Sequence, residues 1–557
     1  MARIVECVPN ISDGVHPEVY NAVARACEKV NGVQLLDVDP GIATNRTVIT
    51  FAGAPEKIVD GAFEVIKASK ELIDMREHRG EHARMGATDV CPFVPVSEVT
   101  LEECAGLARK LAKRVGEELG VWVYLYESAA TKREWQSLPN VRKGEYEGLA
   151  DRVGNPEWRP DAGPERFDPK FGAVAIGARK FLIAYNINFN SKNLKMAKDI
   201  AFNIRQSGRS KRAFYPDGAI VRKPDGTPVK IPGIFNHCKA GAWVIPEYNR
   251  AQVTMNLTDI DVTPVHEVFD EVAKQAQERG MRVTGSEIVG LVPLQVLLEA
   301  GRYYARKQGL SAALSEAELI EIASLTMGLS DVSPFVPDEK IVECRFKRKE
   351  GLANMACSRF VDALASDAPA PGGGSAAALC GSVATALAVM VANLTYGKPE
   401  HKEHWENMER LGIEARLLQS DFLEAVDRDT DSFNAVMEAM RLPKQTEEQK
   451  TARKDAIAGA YRKCTQVPLN VVENCVKAIP ILEEVAKNGN PNCASDAGVG
   501  VHCLLACAEG AALNVRINLA AIEDETFRTE CRDKMNRALS VVRTGCRDII
   551  AWVEKKL

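Results

Sequence analysis

A chain of 557 residues, 46% hydrophobic and 26% charged, carries enough apolar material for several cores and is long enough for about three or four compact units. Its net charge of −5 is interspersed along the chain, which leaves no global basic field to engage nucleic-acid phosphates. The 15 cysteines are odd in number and include no Cys-x-x-Cys pair; they read as reduced core residues in a reducing, cytoplasmic compartment and not as metal ligands or a disulfide framework.

The N-terminal stretch Met1-Ala2-Arg3-Ile4-Val5-Glu6-Cys7 lacks the apolar region of a secretory signal. No run of about 18 apolar residues is evident, so no membrane span is expected. Residues 1–325 alternate strand and helix patterns. Arg3–Val8 reads as a strand, Pro17–Val30 as a helix, Val33–Val38 and Thr47–Ala52 as strands, Ala54–Ala68 as a helix and Val121–Tyr126 as the closing strand. That β-α-β-β-α-β order predicts a ferredoxin-like subdomain. A second set follows, with strand pairs in Ala173–Asn188, a helix at Ser191–Ser207, a strand at Ala251–Ile260, a helix at Val265–Arg279 and a strand at Met281–Val292. The two α+β subdomains join near Gly172–Lys180, with a ligand crevice expected between them. The turn-rich stretch 327–346, with Ser330, Ser333, Pro334 and Pro337, reads as a linker. Beyond it the texture is helical: Met355–Ser366, Gly374–Tyr396, Lys402–Met440, Glu447–Ala478, Ser495–Leu519 and Asp524–Leu557.

His82, between Glu81 and Arg84 in a Gly- and charge-rich segment, admits two readings: a proton-exchanging loop histidine or a solvated one. His16, His78, His266 and His401 read as ordinary surface or helix histidines. The segment Gly163-Pro164-Glu165-Arg166-Phe167-Asp168-Pro169-Lys170-Phe171-Gly172 holds two aromatics and two cations. It is either a plain connection or a loop that stacks on a flat heterocycle and grips a carboxylate. Asp37-Val38-Asp39-Pro40 and Thr44-Asn45-Arg46 read as a polar turn between strands. Gly372-Gly373-Gly374-Ser375 opens a long small-residue helix and exposes backbone N–H groups suited to an anion. In the next long helix, Phe422, Ala425, Val426, Phe433, Val436 and Met440 form an apolar stripe, and Asp429 falls inside it. Asp427 and Asp431 face the other way, toward solvent. A carboxylate within such a stripe is either paired or used in acid–base chemistry.

Several of these stretches are identified with a known family. Arg79–Pro95, Leu36–Thr47, Gly163–Gly172 and Gly177–Asn188 resemble glutamate formimidoyltransferases. Ala370–Ser375, Asp427–Phe433 and Met440–Lys444 resemble formimidoyltetrahydrofolate cyclodeaminases. In this order on one chain they resemble the formimidoyltransferase-cyclodeaminase family. The resemblance implies two ferredoxin-like transferase subdomains at 1–178 and 179–326, a linker at 327–349 and an all-α helical-bundle cyclodeaminase domain at 350–557. It implies His82 and Asp429 as catalytic groups and Gly163–Gly172 as a folate segment; beside them Arg46, Arg84 and Arg179 are expected as carboxylate clamps, and Asp39 and Gly372–Ser375 as further substrate contacts. It implies tetrahydrofolate, polyglutamylated, as co-substrate, with no metal. It also implies formiminoglutamate as donor, in histidine degradation, and a ring-like homo-oligomer with domain-specific dimer interfaces. The sequence departs from the vertebrate pattern at Arg209–Pro246, which reads as an inserted hairpin with Pro-Asp-Gly turns at Pro216 and Pro224. Two rival readings stand beside this one: a C-terminal methenyltetrahydrofolate cyclohydrolase, and a non-catalytic folate-binding scaffold. No Walker A or dinucleotide fingerprint follows a strand, which disfavours a nucleotide-binding enzyme.

Overall fold

Alternating strands and amphipathic helices give way to helices alone in a computed structural model that describes residues 3–42, 44–80, 82–215, 217–346 and 351–557. Glu81, Pro216 and the end of the expected linker lie outside the described residues. The chain divides into two units, Met1–Ala300 with Ser324–Lys347, and Gly301–Ala323 with Arg348–Leu557. The stretch 301–323, read from sequence with the second transferase subdomain, thus belongs to the helical unit. There the Glu409 carboxylate accepts the Ala312 N–H at 2.9 Å and pairs with Arg306 at 3.2 Å.

The first unit opens with β1 (Ile4–Cys7), β2 (Asn10–Ile11), α1 (Pro17–Arg25), β3 (Val33–Gly41), β4 (Arg46–Gly53), α2 (Pro55–Leu72) and β5 (Thr88–Ser97). β1 and β2 act as one interrupted strand between β4 and β5, with β3 outside β4. This is the ferredoxin-like order, but its closing strand is β5 and not Val121–Tyr126. Pro92 and Pro95 hide β5 from a strand-pattern reading. They are tolerated because the strand opposite is irregular, broken between β1 and β2 and shifted in register at Ile4/Val5. After α3 (Leu101–Glu118), β6 (Trp122–Glu127) lies parallel at the sheet edge. An irregular stretch containing the one-turn α4 (Leu138–Val141) then returns the chain to β7 (Ala173–Ala178), which fills the place between β5 and β6.

The fit of β6 to β7 is large against small: Trp122 faces Ala173, Tyr124 faces Ala175 and Tyr126 faces Gly177. A Cβ at Gly177 would meet the Tyr126 ring, so the smallest residue is required there. One sheet face packs on the helices through Phe51, Ile58, Ile66, Phe93 and Leu111. The other holds Trp122, Tyr124, Tyr126, Trp135 and Val141. A Thr100–Glu103 capping box starts α3.

The expected strand pairs of Ala173–Asn188 belong to two sheets. β7 completes the first, and β8 (Ile183–Phe189) begins the second. With α5 (Leu194–Ile204), β9 (Arg209–Ser210), β10 (Lys230–Ile231), β11 (Cys238–Ile245), β12 (Arg250–Leu257), α6 (Val265–Glu278) and β13 (Val283–Val289), it builds a four-stranded sheet of order β11-β12-β8-β13, again ferredoxin-like. The expected insertion at Arg209–Pro246 is therefore too wide. Its last part, β11, is a sheet strand, and only the excursion closed by β9 and β10 stands apart. Within it the Asp225 carboxylate accepts the Thr227 N–H at 2.8 Å, fixing the turn that follows Pro224.

Helices α7 (Leu294–Lys307), α8 (Glu316–Met327), α9 (Pro337–Lys340) and α10 (Val342–Phe346) follow. The helical unit then runs through α11 (Cys357–Leu364), α12 (Gly373–Thr395), α13 (Trp405–Arg441), α14 (Glu447–Asn488), α15 (Ala494–Leu519) and α16 (Glu525–Glu554). α14 outlasts its expected end at Ala478 because it passes through Pro468 and Pro480, each surrendering one backbone hydrogen bond inside a helix buried by its neighbours. The expectation that nothing is apolar enough to cross a membrane is corrected. Gly373–Thr395 and Pro491–Leu519 reach mean hydropathies of 1.9 and 1.4, while 61% and 50% of those windows are buried within the protein. Their small residues pack into the bundle core, as Ala384, Ala388, Val501 and Ala508 show.

Candidate active sites

In the first unit three loops meet backbone to backbone. A Cβ at Gly80 would overlap the Thr44 carbonyl, and one at Gly14 would overlap the backbone of Gly41 and Arg46. Between them His78, read from sequence as a surface histidine, is buried. Its Nε2–H donates to the Asn45 carbonyl at 2.9 Å, and Nδ1 accepts from Arg84 Nε at 3.3 Å. Burial holds this imidazole below its ordinary value, so it stays neutral and ties the 78–84 segment to the β3–β4 hairpin.

That tie places His82 beside a buried ion cluster. Asp89 is fully buried. Its Oδ2 accepts from Arg46 Nη1 and from Arg142 Nη2, both at 2.5 Å, and its Oδ1 accepts the Met85 N–H at 2.9 Å. Arg46 Nε donates to Asn10 Oδ1 at 3.1 Å. Two guanidinium groups on one carboxylate leave one net positive charge. Burial, then the Arg46 and Arg142 charges, pull His82 below the ordinary imidazole value. His82 Nδ1 lies 2.7 Å from the Ala83 carbonyl. A carbonyl only accepts, so Nδ1 carries the proton and Nε2 is left as the basic nitrogen. Arg46 was expected from sequence. Asp89 and Arg142 were not: Arg142 follows α4 in a stretch with no periodicity to read.

Other expected contacts are placed differently. Arg84 is not a free carboxylate clamp, because Glu147 already holds its guanidinium at 2.7 and 2.8 Å. Arg179 sits four residues further along the strand direction from Asp89, its N–H on the Phe93 carbonyl. It faces the buried Glu6, whose carboxyl burial pushes up to about 7. Asp37–Pro40 is not a turn but part of β3, and Asp39 is exposed on that outer strand. In the Gly163–Gly172 segment the two aromatics are placed differently. Phe171 is fully buried and Phe167 packs on Trp122 with ring centres 5.4 Å apart. Pro164 O accepts the Trp122 indole N–H, Pro169 O accepts the Tyr146 hydroxyl, and Lys170 Nζ donates to the Glu71 carbonyl. Asp168 pairs with Lys70 at 3.7 Å. Glu165 and Arg166 remain exposed. Gly172, at φ +83°, lies against Met85 and Gly86, which joins this segment to the one that carries His82.

In the helical unit the glycine-rich start of α12 and the middle of α13 meet. The Ser375 hydroxyl donates to the Val426 carbonyl at 2.8 Å and lies 3.3 Å from Asp429 Oδ2. A Cβ at Gly374 would overlap the Asp429 carboxylate. Burial raises the Asp429 carboxyl above its ordinary value, opposed by the Ser375 hydroxyl and N–H. The carboxylate thus occupies the positive end of α12, with Gly374 against it. Gly372 is the N-cap, with no side chain to cap the helix. Cys464, whose thiol feels the Asp429 charge, borders the site and was not read from sequence. Asp427 is not simply solvated: its Oδ1 accepts the Leu352 N–H at 2.6 Å. The apolar stripe ends early, since Met440 is exposed.

Three family models match the chain. The formiminotransferase domain, N-terminal subdomain, matches residues 4–179, the formiminotransferase domain residues 184–347, and formiminotransferase-cyclodeaminase residues 356–537. The chain is 40% identical over 559 aligned positions to a formimidoyltransferase-cyclodeaminase of Gallus gallus, covering 100% of both. It is 36% identical to a glutamate formimidoyltransferase of Streptococcus pyogenes over 55% of this chain and 94% of that one. It is 40% identical to a methenyltetrahydrofolate cyclohydrolase of Methylorubrum extorquens over 32% of this chain and 85% of that one.

Proposed function

The chain belongs to the formimidoyltransferase-cyclodeaminase family, and we propose that it moves a formimino group from N-formimino-L-glutamate to N5 of tetrahydrofolate and then closes the product to 5,10-methenyltetrahydrofolate, releasing ammonia. The observation that carries this reading is the pair of separate proton-transfer sites, a basic His82 Nε2 beside a cationic cluster in one unit and a perturbed Asp429 in the other.

In the first reaction N5 bonds to the formimino carbon and the bond from that carbon to the glutamate nitrogen breaks. His82 Nε2 takes the N5 proton and returns one to the departing nitrogen. Its depressed proton affinity keeps it unprotonated near neutral pH, ready for the first transfer. Arg46 supplies charge for a substrate carboxylate. In the second reaction N10 bonds to the same carbon and ammonia leaves. Asp429, seated on the first turn of α12, takes the N10 proton and passes it to the nitrogen of the protonated formimino group, which leaves as ammonia.

The same reading assigns 1–178 and 179–326 to the transferase subdomains and residues after the linker to the deaminase. It takes the tetrahydrofolate as polyglutamylated and the reaction as part of histidine breakdown. It takes the chain as a cytoplasmic homo-oligomer. All 15 cysteines are free, Cys7 and Cys91 at 3.5 Å included, which supports a reducing compartment. Exposed apolar side chains on α12 and α15, among them Val383, Met390, Leu513 and Ile517, support contacts between copies. The Methylorubrum extorquens relative makes cyclohydrolase action of the helical unit the second reading, and ammonia release separates the two. The test is a pair of variants: His82→Ala given 5-formiminotetrahydrofolate should still release ammonia, and Asp429→Asn given both first substrates should accumulate 5-formiminotetrahydrofolate. Loss of both reactions in both folded variants contradicts the two-site reading.

A further inference from the structure

Arg142 Nε is buried and makes no hydrogen bond. The side chain is only 15% exposed, and its one ion pair uses Nη2 on Asp89. Arg46, whose side chain is 9% exposed, spends Nε on Asn10 and Nη1 on the same Asp89 oxygen. The remaining N–H groups of both guanidiniums have no protein acceptor among the described residues. Two buried cations share one anion, beside a histidine that is neutral. A buried guanidinium with unmade hydrogen bonds is costly, and a planar N–H fork fits a carboxylate better than any other common anion of amino-acid chemistry.

We infer that Arg142 and Arg46, held together by Asp89, seat the carboxylate of the formimino donor that lies next to its formimino-bearing nitrogen. This rests on the transferase reading. His82 must reach the departing nitrogen, and the α-carboxylate is carried by the carbon bonded to that nitrogen. The anion beside His82 is therefore the α-carboxylate and not the distal one. The cluster then sets donor specificity: it excludes formiminated amines that lack an α-carboxylate, because such a donor leaves the guanidinium N–H groups unpaired and one positive charge unbalanced. Asp89 is a positioning residue here, since it fixes both guanidiniums without touching the donor.

The test compares N-formimino-L-glutamate with N-formimino-4-aminobutyrate, the same chain without the α-carboxylate, using the full-length protein with tetrahydrofolate. The wild type should prefer the first donor by about 10²-fold or more in kcat/KM. In Arg142→Gln that preference should collapse toward unity, with the KM for formiminoglutamate raised and the KM for tetrahydrofolate unchanged. Arg142→Lys, which keeps a charge for Asp89 but not the fork, should retain only part of the preference; it decides the matter alone if Arg142→Gln does not fold. An unchanged preference in the variants, or equal slowing of both donors, overturns the carboxylate seat and leaves the transferase reading intact. A wild type that transfers from neither donor overturns both.

Discussion

Gly374 lies so close to Asp429 that a single methyl group on its Cα would overlap the carboxylate. The two residues come from different helices, α12 and α13, and the contact sets the Asp429 carboxylate on the exposed N–H groups of the first turn of α12. Gly374→Ala should therefore displace the carboxylate and cost the deaminase about 10²–10⁴-fold in kcat, the range expected for a lost proton-transfer group. The transferase rate of the same protein should be unchanged. Steady-state assays of the two half-reactions check this, and full deaminase activity in Gly374→Ala would refute the placement.

Asp429 also sets a pH dependence. It must be ionised to accept the N10 proton, and burial raises its carboxyl. Deaminase activity should fall as pH drops through a value above the ordinary carboxylate range. A pH–rate profile locates that limb, and an acid limb at the ordinary aspartate value would contradict the desolvated site.

His82 moves the other way. Burial and the Arg46 and Arg142 charges lower its proton affinity, so transferase activity should persist below pH 6.5 before protonation of Nε2 removes it. Removing one positive charge in Arg142→Gln should move that acid limb upward. A limb that stays in place would show that the cation cluster does not act on His82.

Glu6 gives a stability prediction with a definite sign. Its carboxyl is buried and raised from 4.5 to about 7. The folded state binds this proton more tightly than the unfolded state, so the associated stability is fully present below about pH 4.5 and is lost as pH rises through about 7. The loss amounts to about 3 kcal/mol at most. Glu6→Gln should therefore stabilise the first unit above pH 7 and change little below pH 4.5, as read by denaturant unfolding at the two pH values.

His78 runs opposite. Its imidazole is lowered by burial, so the stability contributed by the neutral ring is present above its unfolded value and is lost as pH falls through the lowered one. His78→Phe should cost about 1–3 kcal/mol at pH 8, the price of leaving the Asn45 carbonyl and Arg84 Nε unpaired, and the deficit should shrink in acid. Unfolding curves at pH 8 and pH 5 measure both.

What the sequence made legible was local. Asp429 stood out because one carboxylate interrupts a helical stripe, and alternating periods showed two α+β sets, the first of them ferredoxin-like but with the wrong closing strand. Gly372, Gly373 and Gly374 were visible as a helix start, but not the contact of Gly374 with Asp429, which lies 55 residues away in the chain. Arg84 was misread because its partner Glu147 is 63 residues distant. Arg142 escaped notice because the stretch around α4 has no period. β5 was passed over because Pro92 and Pro95 break a strand pattern that the sheet accommodates. Phe171 seemed free for a ligand because its partners in the buried core lie on other elements.

The most direct test of the two-reaction account is the purified protein with tetrahydrofolate and N-formimino-L-glutamate, with methenyltetrahydrofolate followed by absorbance and ammonia counted in parallel. The account predicts that both appear together in equal amounts. Folded protein that forms neither would contradict it.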